Sequence, residues 1–194
     1  MIVIGLTGSI GMGKSATSDM FRLRGVPVHD SDAAVHALYR GELVPLIEAA
    51  FPGATRDGMV DRAVLGAQVL NDDARMRKLE SIVHPLVWKA EADFIAARRR
   101  EGFAHVAIDN PLLLEARDPT DYDAIVVCSA APEIQRARVL ARPGMSVEKF
   151  NAIMARQMPD SDKRRRAHYV IDTGAGFAAA QAQVDAVLRA LAAG

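Results

Sequence analysis

The chain has 194 residues, half of them apolar and a quarter charged, with 24 Lys plus Arg against 24 Asp plus Glu. That length suits one domain with small insertions and a real core, and the even charge balance argues against a nucleic-acid binder, which carries a basic excess. The single cysteine, Cys128, forbids an internal disulfide and fits a reducing, cytoplasmic setting, and neither a signal peptide nor an apolar run near the ~20 residues of a membrane span is visible.

Residues 2–7 (IVIGLT) predict a buried strand, and residues 14–24 a helix with Ala16, Met20 and Leu23 on one face. Residues 26–28 predict a second short strand. A helix-rich stretch follows from about 31 to 101, clearest where Leu79, Ile82, Val83, Leu86, Val87, Ala90 and Phe94 keep helical spacing. Pro85 interrupts that pattern, so either a kink is expected or one helix ends near His84 and another starts at Pro85. Strands are predicted at 105–109, 124–128 and 169–172. A helix is expected at about 132–141 and a closing helix carries Phe177, Ala180, Val184, Val187, Leu188 and Leu191. Short apolar strands separated by helices imply an α/β fold, with a parallel sheet covered on both faces.

Between the first strand and helix stands GSIGMGKS, in which Gly8, Gly13, Lys14 and Ser15 have the spacing G-x-x-x-x-G-K-[ST]. Glycines let a backbone turn tightly around phosphate oxygens, and the helix that follows presents its positive end to the anion. Lys14 would reach the β- and γ-phosphates and the Ser15 hydroxyl would ligate Mg²⁺. Two glycines so spaced arise by chance about once in such a chain, but Lys-Ser next to them, between strand and helix, does not.

A doubly wound sheet binds its ligand at the carboxyl ends of the strands, so residues just after each strand are the candidates for chemistry. His29-Asp30-Ser31-Asp32 follows the second strand. A carboxylate there either takes a proton from an acceptor hydroxyl or caps the next helix. Asp109 ends the third strand, as a support for Mg²⁺ or as a turn residue. Arg138 and Arg142 lie four apart on a helix beyond the fourth strand, either over the triphosphate or on a solvated face. The run from Lys163 to Arg166 reads as a solvated face, with phosphate contact as the alternative. His84 is a packed histidine or a donor to substrate. No His/Cys set has zinc spacing. A GTPase switch would want an N-K-x-D motif, which is absent.

The chain resembles the dephospho-coenzyme A kinase family over nearly its whole length. The segments that carry the likeness are "GLTGSIGMGKS", "VPVHDSDAAVHAL", "DGMVDRAVLGAQVLNDDARMRKLESIVHPLV", "IDNPLLLE" and "QRARVLAR", followed by Arg156-Gln157, Lys163 and Ala167. The resemblance implies ATP-dependent phosphorylation of the ribose 3′-hydroxyl of dephospho-CoA, the last step of CoA synthesis, with Mg²⁺. It implies a five-stranded P-loop NTPase core over about 1–30, 103–137 and 167–194, a helical CoA-side insert over about 31–102 and a lid over about 138–166. By position, Asp32 is the general base and Gly11, Met12, Gly13, Lys14, Ser15 and Ala16 hold the ATP phosphates. Arg138 and Arg142 belong to the lid, and Arg62, His84 and Asp109 fall on the acceptor side. The expected partner is the small-molecule substrate, not nucleic acid or membrane, in a monomer or small homo-oligomer. The chain departs from the family pattern at Ala16, Leu70, Leu114, Val139, His168 and Thr173.

Overall fold

The computed structural model describes residues 1–70, 72–116 and 118–193. Strands β1 (Ile2–Thr7), β5 (His105–Asp109) and β6 (Ala124–Ser129) are almost continuously apolar and buried, as strands covered on both faces must be. With β2 (Val28–Asp30) and β7 (Tyr169–Asp172) they form one five-stranded sheet in the order β2-β5-β1-β6-β7. β1 is central and runs parallel to β5 (Ile4 beside Ala107) and to β6 (Gly5 beside Ile125). Helices α1 (Lys14–Arg22) and α10 (Phe177–Ala193) seal one face, packing Met20, Phe21, Val184 and Val187 over Ile4, Leu6 and Val126. α6 (Leu113–Ala116), α7 (Pro132–Leu140), α8 (Val147–Met154) and α9 (Asp160–Arg165) complete this part.

The chain divides into two compact units, residues 1–29 with 98–194 and residues 30–97. The second has its own core, in which Leu43, Ile47, Phe51, Leu65, Val69 and Val83 are buried. It is built from α2 (Ser31–Leu38), α3 (Leu43–Ala50), a hairpin of β3 (Thr55–Arg56) and β4 (Met59–Val60), α4 (Arg62–Val69) and most of α5 (Asp73–Arg100). Segment 138–166, where a lid is expected, belongs to the first unit.

Three local expectations change. The second strand lies at Val28–Asp30, not 26–28, because Pro27 has no N–H for the ladder; its carbonyl accepts from Ala107 N at 2.9 Å. α5 runs unbroken through Pro85 for 28 residues. Residues on both sides of the proline, Leu79, Ile82, Leu86 and Val87, pack on the same core, and that burial outweighs the ~3 kcal/mol a helical proline costs. The stretch read as helix-rich also contains the β3–β4 hairpin. Its two-residue turn, Asp57-Gly58, has both φ positive (52° and 74°), which suits an Asp-Gly type I′ turn.

Candidate active site

The loop from Gly8 to Gly13 leaves the carboxyl end of β1 and runs straight into α1. Gly11 and Gly13 sit at φ +78° and +82°, a region closed to most side chains. Neither has room for a Cβ: one on Gly11 would come within 2.5 Å of Val139, and one on Gly13 within 2.8 Å of Thr173 Oγ1. Two glutamines hold the peptide units around Ile10. Its N–H donates to Gln157 Oε1 at 3.0 Å and its carbonyl accepts from Gln135 Nε2 at 2.8 Å. Met12 N donates back to Ser9 O at 3.1 Å, and Met12 Sδ accepts from Ala130 N. Among the described residues, the amides of Gly11, Gly13, Lys14, Ser15 and Ala16 find no protein acceptor. Free amides clustered at a helix N-terminus are a ready seat for an anion.

Lys14 reaches across to β5 and pairs with Asp109, whose other carboxylate oxygen accepts from the buried Ser18 hydroxyl. Asp109 is 4 % exposed, so a bare carboxylate there would be costly without these two donors. Arg138 makes a two-armed contact with Thr173, to Oγ1 at 2.9 Å and to the carbonyl at 2.8 Å. The Thr173 hydroxyl donates in turn to Met12 O at 2.9 Å. Arg138 is thereby wired to the loop through a residue that departs from the family pattern. His168, another departure, accepts from Ile125 N on Nδ1 at 2.9 Å and so helps fix β6. Beside the loop lies a cavity of about 260 Å³ walled by Ala16, Met20, Arg138, Thr173 and Phe177. Arg142 lies exposed in the turn after α7, with no side-chain partner among the described residues.

In the second unit the capping role falls to Asp30, whose carboxylate accepts from Ala33 N at 2.9 Å. Asp32, in the first turn of α2, is exposed and engages no partner among the described residues. His36 lies four residues on, on the same face, and its Nε2 is 3.0 Å from Arg62 Nη1. Asp61 caps α4 through Ala63 N and Val64 N, which fixes Arg62 at the head of that helix. Arg62 also lies near Tyr39, whose hydroxyl is pushed upward in pKa by burial and held back by that guanidinium. His84 stacks on Trp88 one turn along α5, with ring centroids 5.5 Å apart.

The structure thus gathers Gly8, Gly11, Met12, Gly13, Lys14, Ser15, Ala16, Asp109 and Arg138 about one loop, and sets Arg62 beside His36, one turn of α2 on from Asp32. Sequence reasoning gave no role to Ser18, Gln135 and His36, and met Gln157 and Thr173 only as a match to and a departure from the family pattern. Only His36 carried a local signal, its i+4 spacing from Asp32. Lys163 corrects the reading of its run as a solvated face: Arg164, Arg165 and Arg166 are exposed, but Lys163 is wholly buried. Cys128 is buried in β6, and burial pushes its thiol up to about 12, so it is no nucleophile at neutral pH.

An anion seat at a helix N-terminus, on a parallel sheet of this order and with a lysine at its mouth, places the chain among the P-loop phosphotransferases. A family model described as dephospho-CoA kinase matches residues 2–178. The dephospho-CoA kinase of Mesorhizobium japonicum is 57 % identical over 189 residues, covering 97 % of this chain and 95 % of that one. That of Agrobacterium fabrum is 55 % identical over 193 residues, covering 100 % of each. A crystal structure from Thermus thermophilus superposes with a TM-score of 0.87 at 34 % identity, covering 98 % of this chain and 97 % of that one. The chain belongs to the dephospho-CoA kinase family.

Proposed function

We propose that the chain transfers the γ-phosphoryl group of ATP to the ribose 3′-hydroxyl of dephospho-CoA, giving CoA and ADP, the final step of coenzyme A synthesis. The observation that carries this is the set of amides without protein acceptors opening on Lys14, in a chain matched by the family over residues 2–178. Lys14 pairs with Asp109 and stands at the mouth of the loop, where its ammonium would meet the β- and γ-phosphates. The cavity of about 260 Å³ is apolar enough to take the adenine ring, with Arg138 at its edge. Arg142 has no side-chain partner among the described residues and can close over the phosphates as part of the lid expected over about 138–166.

Among the described residues no group of three His, Cys, Asp or Glu could hold a metal alone. Mg²⁺ fits the site through the exposed hydroxyl of Ser15 in the first turn of α1, with phosphate oxygens and water as the other ligands. Bound there, it would neutralise charge on the β- and γ-phosphates. Asp32 acts as general base, which its freedom from capping supports. It accepts the proton of the 3′-hydroxyl as that oxygen bonds to the γ-phosphorus and the bond to the β,γ-bridging oxygen breaks. Arg62 and His84 bind the acceptor. Arg62 suits an anionic substrate because its partner, His36, is an imidazole and not a carboxylate. The protein works in the cytoplasm as a monomer or small homo-oligomer.

The test is release of ADP from ATP by purified protein with and without dephospho-CoA. Turnover that depends on the acceptor is expected, and turnover indifferent to it would end the assignment.

A further inference from the structure

The unit that holds the phosphate loop contains a lysine with no exposed surface. Lys163, on α9, buries its ammonium completely, which is costly unless its hydrogen bonds are met. They are met by one segment, the stretch that follows β5. Nζ donates to Pro111 O at 3.0 Å and lies 2.9 Å from Glu115 Oε1. Pro111 O also accepts from the hydroxyl of Thr7, the last residue of β1, at 3.2 Å. The Glu115 oxygen that meets Lys163 accepts as well from Met158 N at 3.0 Å. The residue before Met158 is Gln157, whose Oε1 receives Ile10 N. A continuous path therefore runs from the buried ammonium through Glu115 and the α8–α9 connection to the phosphate loop.

What that path can do follows from the planarity of the peptide unit. In a trans peptide the carbonyl and the next N–H point opposite ways. Gln135, by binding Ile10 O, turns Gly11 N–H away from itself, and Gly11 N–H is one of the amides left without a protein acceptor. Gln157, by binding Ile10 N–H, fixes the preceding unit, whose carbonyl on Ser9 accepts from Met12 N. Together the two glutamines orient successive peptide planes of the loop before any anion arrives, and a preoriented donor loses nothing to reorganisation on binding.

We propose that Gln157 is a positioning residue for the phosphate-binding loop, held in place by the buried Lys163–Glu115 pair. The proposal rests on the reading of that loop as the ATP site, which wild-type turnover tests by itself. Gln157→Leu keeps the volume and removes the acceptor. Loss of one such hydrogen bond is expected to weaken ATP binding about tenfold, read by calorimetry without acceptor. The KM for dephospho-CoA should stay within about twofold of wild type, and exchange of the Ile10 amide should speed up. Lys163→Met should weaken ATP binding in the same sense. Combined with Gln157→Leu it should add less than its separate effect, because the two act along one path. An ATP affinity for Gln157→Leu within about twofold of wild type, or equal rises in both KM values, overturns the proposal whether or not the Lys163 variant folds.

Discussion

The two units place their candidate site residues in opposite ways. Around the phosphate loop five polar side chains are turned inward and matched: Ser18, Asp109, Gln135, Lys163 and Thr173 are each less than a tenth exposed, and hydrogen bonds engage every one, although the buried Ser9 hydroxyl finds no partner among the described residues. In residues 30–97 the polar side chains of interest lie on helix surfaces: Asp32, His36 and Arg62 are exposed, and only His36 and Arg62 touch one another. Donor chemistry needs amides aimed before the triphosphate arrives, and buried networks supply that rigidity. A surface that takes a flexible acceptor works with groups that rearrange, at the expense of preorganisation.

That contrast predicts that variants in the two units separate kinetically. The largest effect is expected of Asp32→Asn, which should lower kcat by about 10²–10⁴ while calorimetry finds ATP binding unchanged; an unaltered kcat removes Asp32 as the base. Lys14→Met should lower kcat by about 10²–10³ and weaken ATP binding too, the outcome expected of the proposed contact between its charge and the transferred group. Gly11→Ala would force a side chain toward Val139 at positive φ and should destabilise the fold by about 2–4 kcal/mol in urea titration, with ATP binding lost in the fraction that folds. A stable variant with normal affinity would show that the loop is softer than its packing implies.

Arg62→Ala should raise the KM for dephospho-CoA about tenfold, the worth of one charge-assisted hydrogen bond, and leave the KM for ATP alone. The smallest effect lies away from both substrates. Arg24 on the α1 side donates to Asp185 of α10, and that hydrogen bond holds the Asp185 carboxyl below the ordinary aspartate range. A lowered folded-state value means the pair stabilises fully above the ordinary value of 3.8 and is lost as pH falls through the lowered one. Asp185→Asn should therefore flatten the acid limb of Tm against pH slightly and change nothing at neutral turnover.

Much of the donor side could be read directly. The G-x-x-x-x-G-K-S spacing works locally: its glycines answer a local backbone demand and its lysine and serine open the helix at once, so strand, loop and helix start lay where the pattern put them; the helix itself ends at Arg22, and of the face read as apolar only Met20 is buried, Ala16 and Leu23 being exposed. The capping ambiguity at Asp30 and Asp32 could not be resolved from spacing, since both stand one turn from amides they could cap. Backbone geometry assigns the cap to Asp30. The Asp57-Gly58 hairpin had a readable signal in its dipeptide, masked by the short length of its strands. Lys163 had none: nothing local separates it from the three arginines that follow, and only its place opposite Pro111 and Glu115 buries it.

By itself the sequence determined the strands of the main sheet in their chain order, the phosphate-binding turn and, through its likeness to a family, the candidate acceptor residues. These follow from short-range sterics and from apolar periodicity, both written within a few neighbouring positions. The tertiary structure decided which polar side chains turn inward: Lys14 onto Asp109, Thr173 onto Met12 and Arg138, Gln157 onto Ile10, Lys163 onto Pro111 and Glu115. A buried polar group is tolerable only if its partner is there. In these pairs the partner stands 35 to 161 positions away along the chain, where no local pattern can point to it.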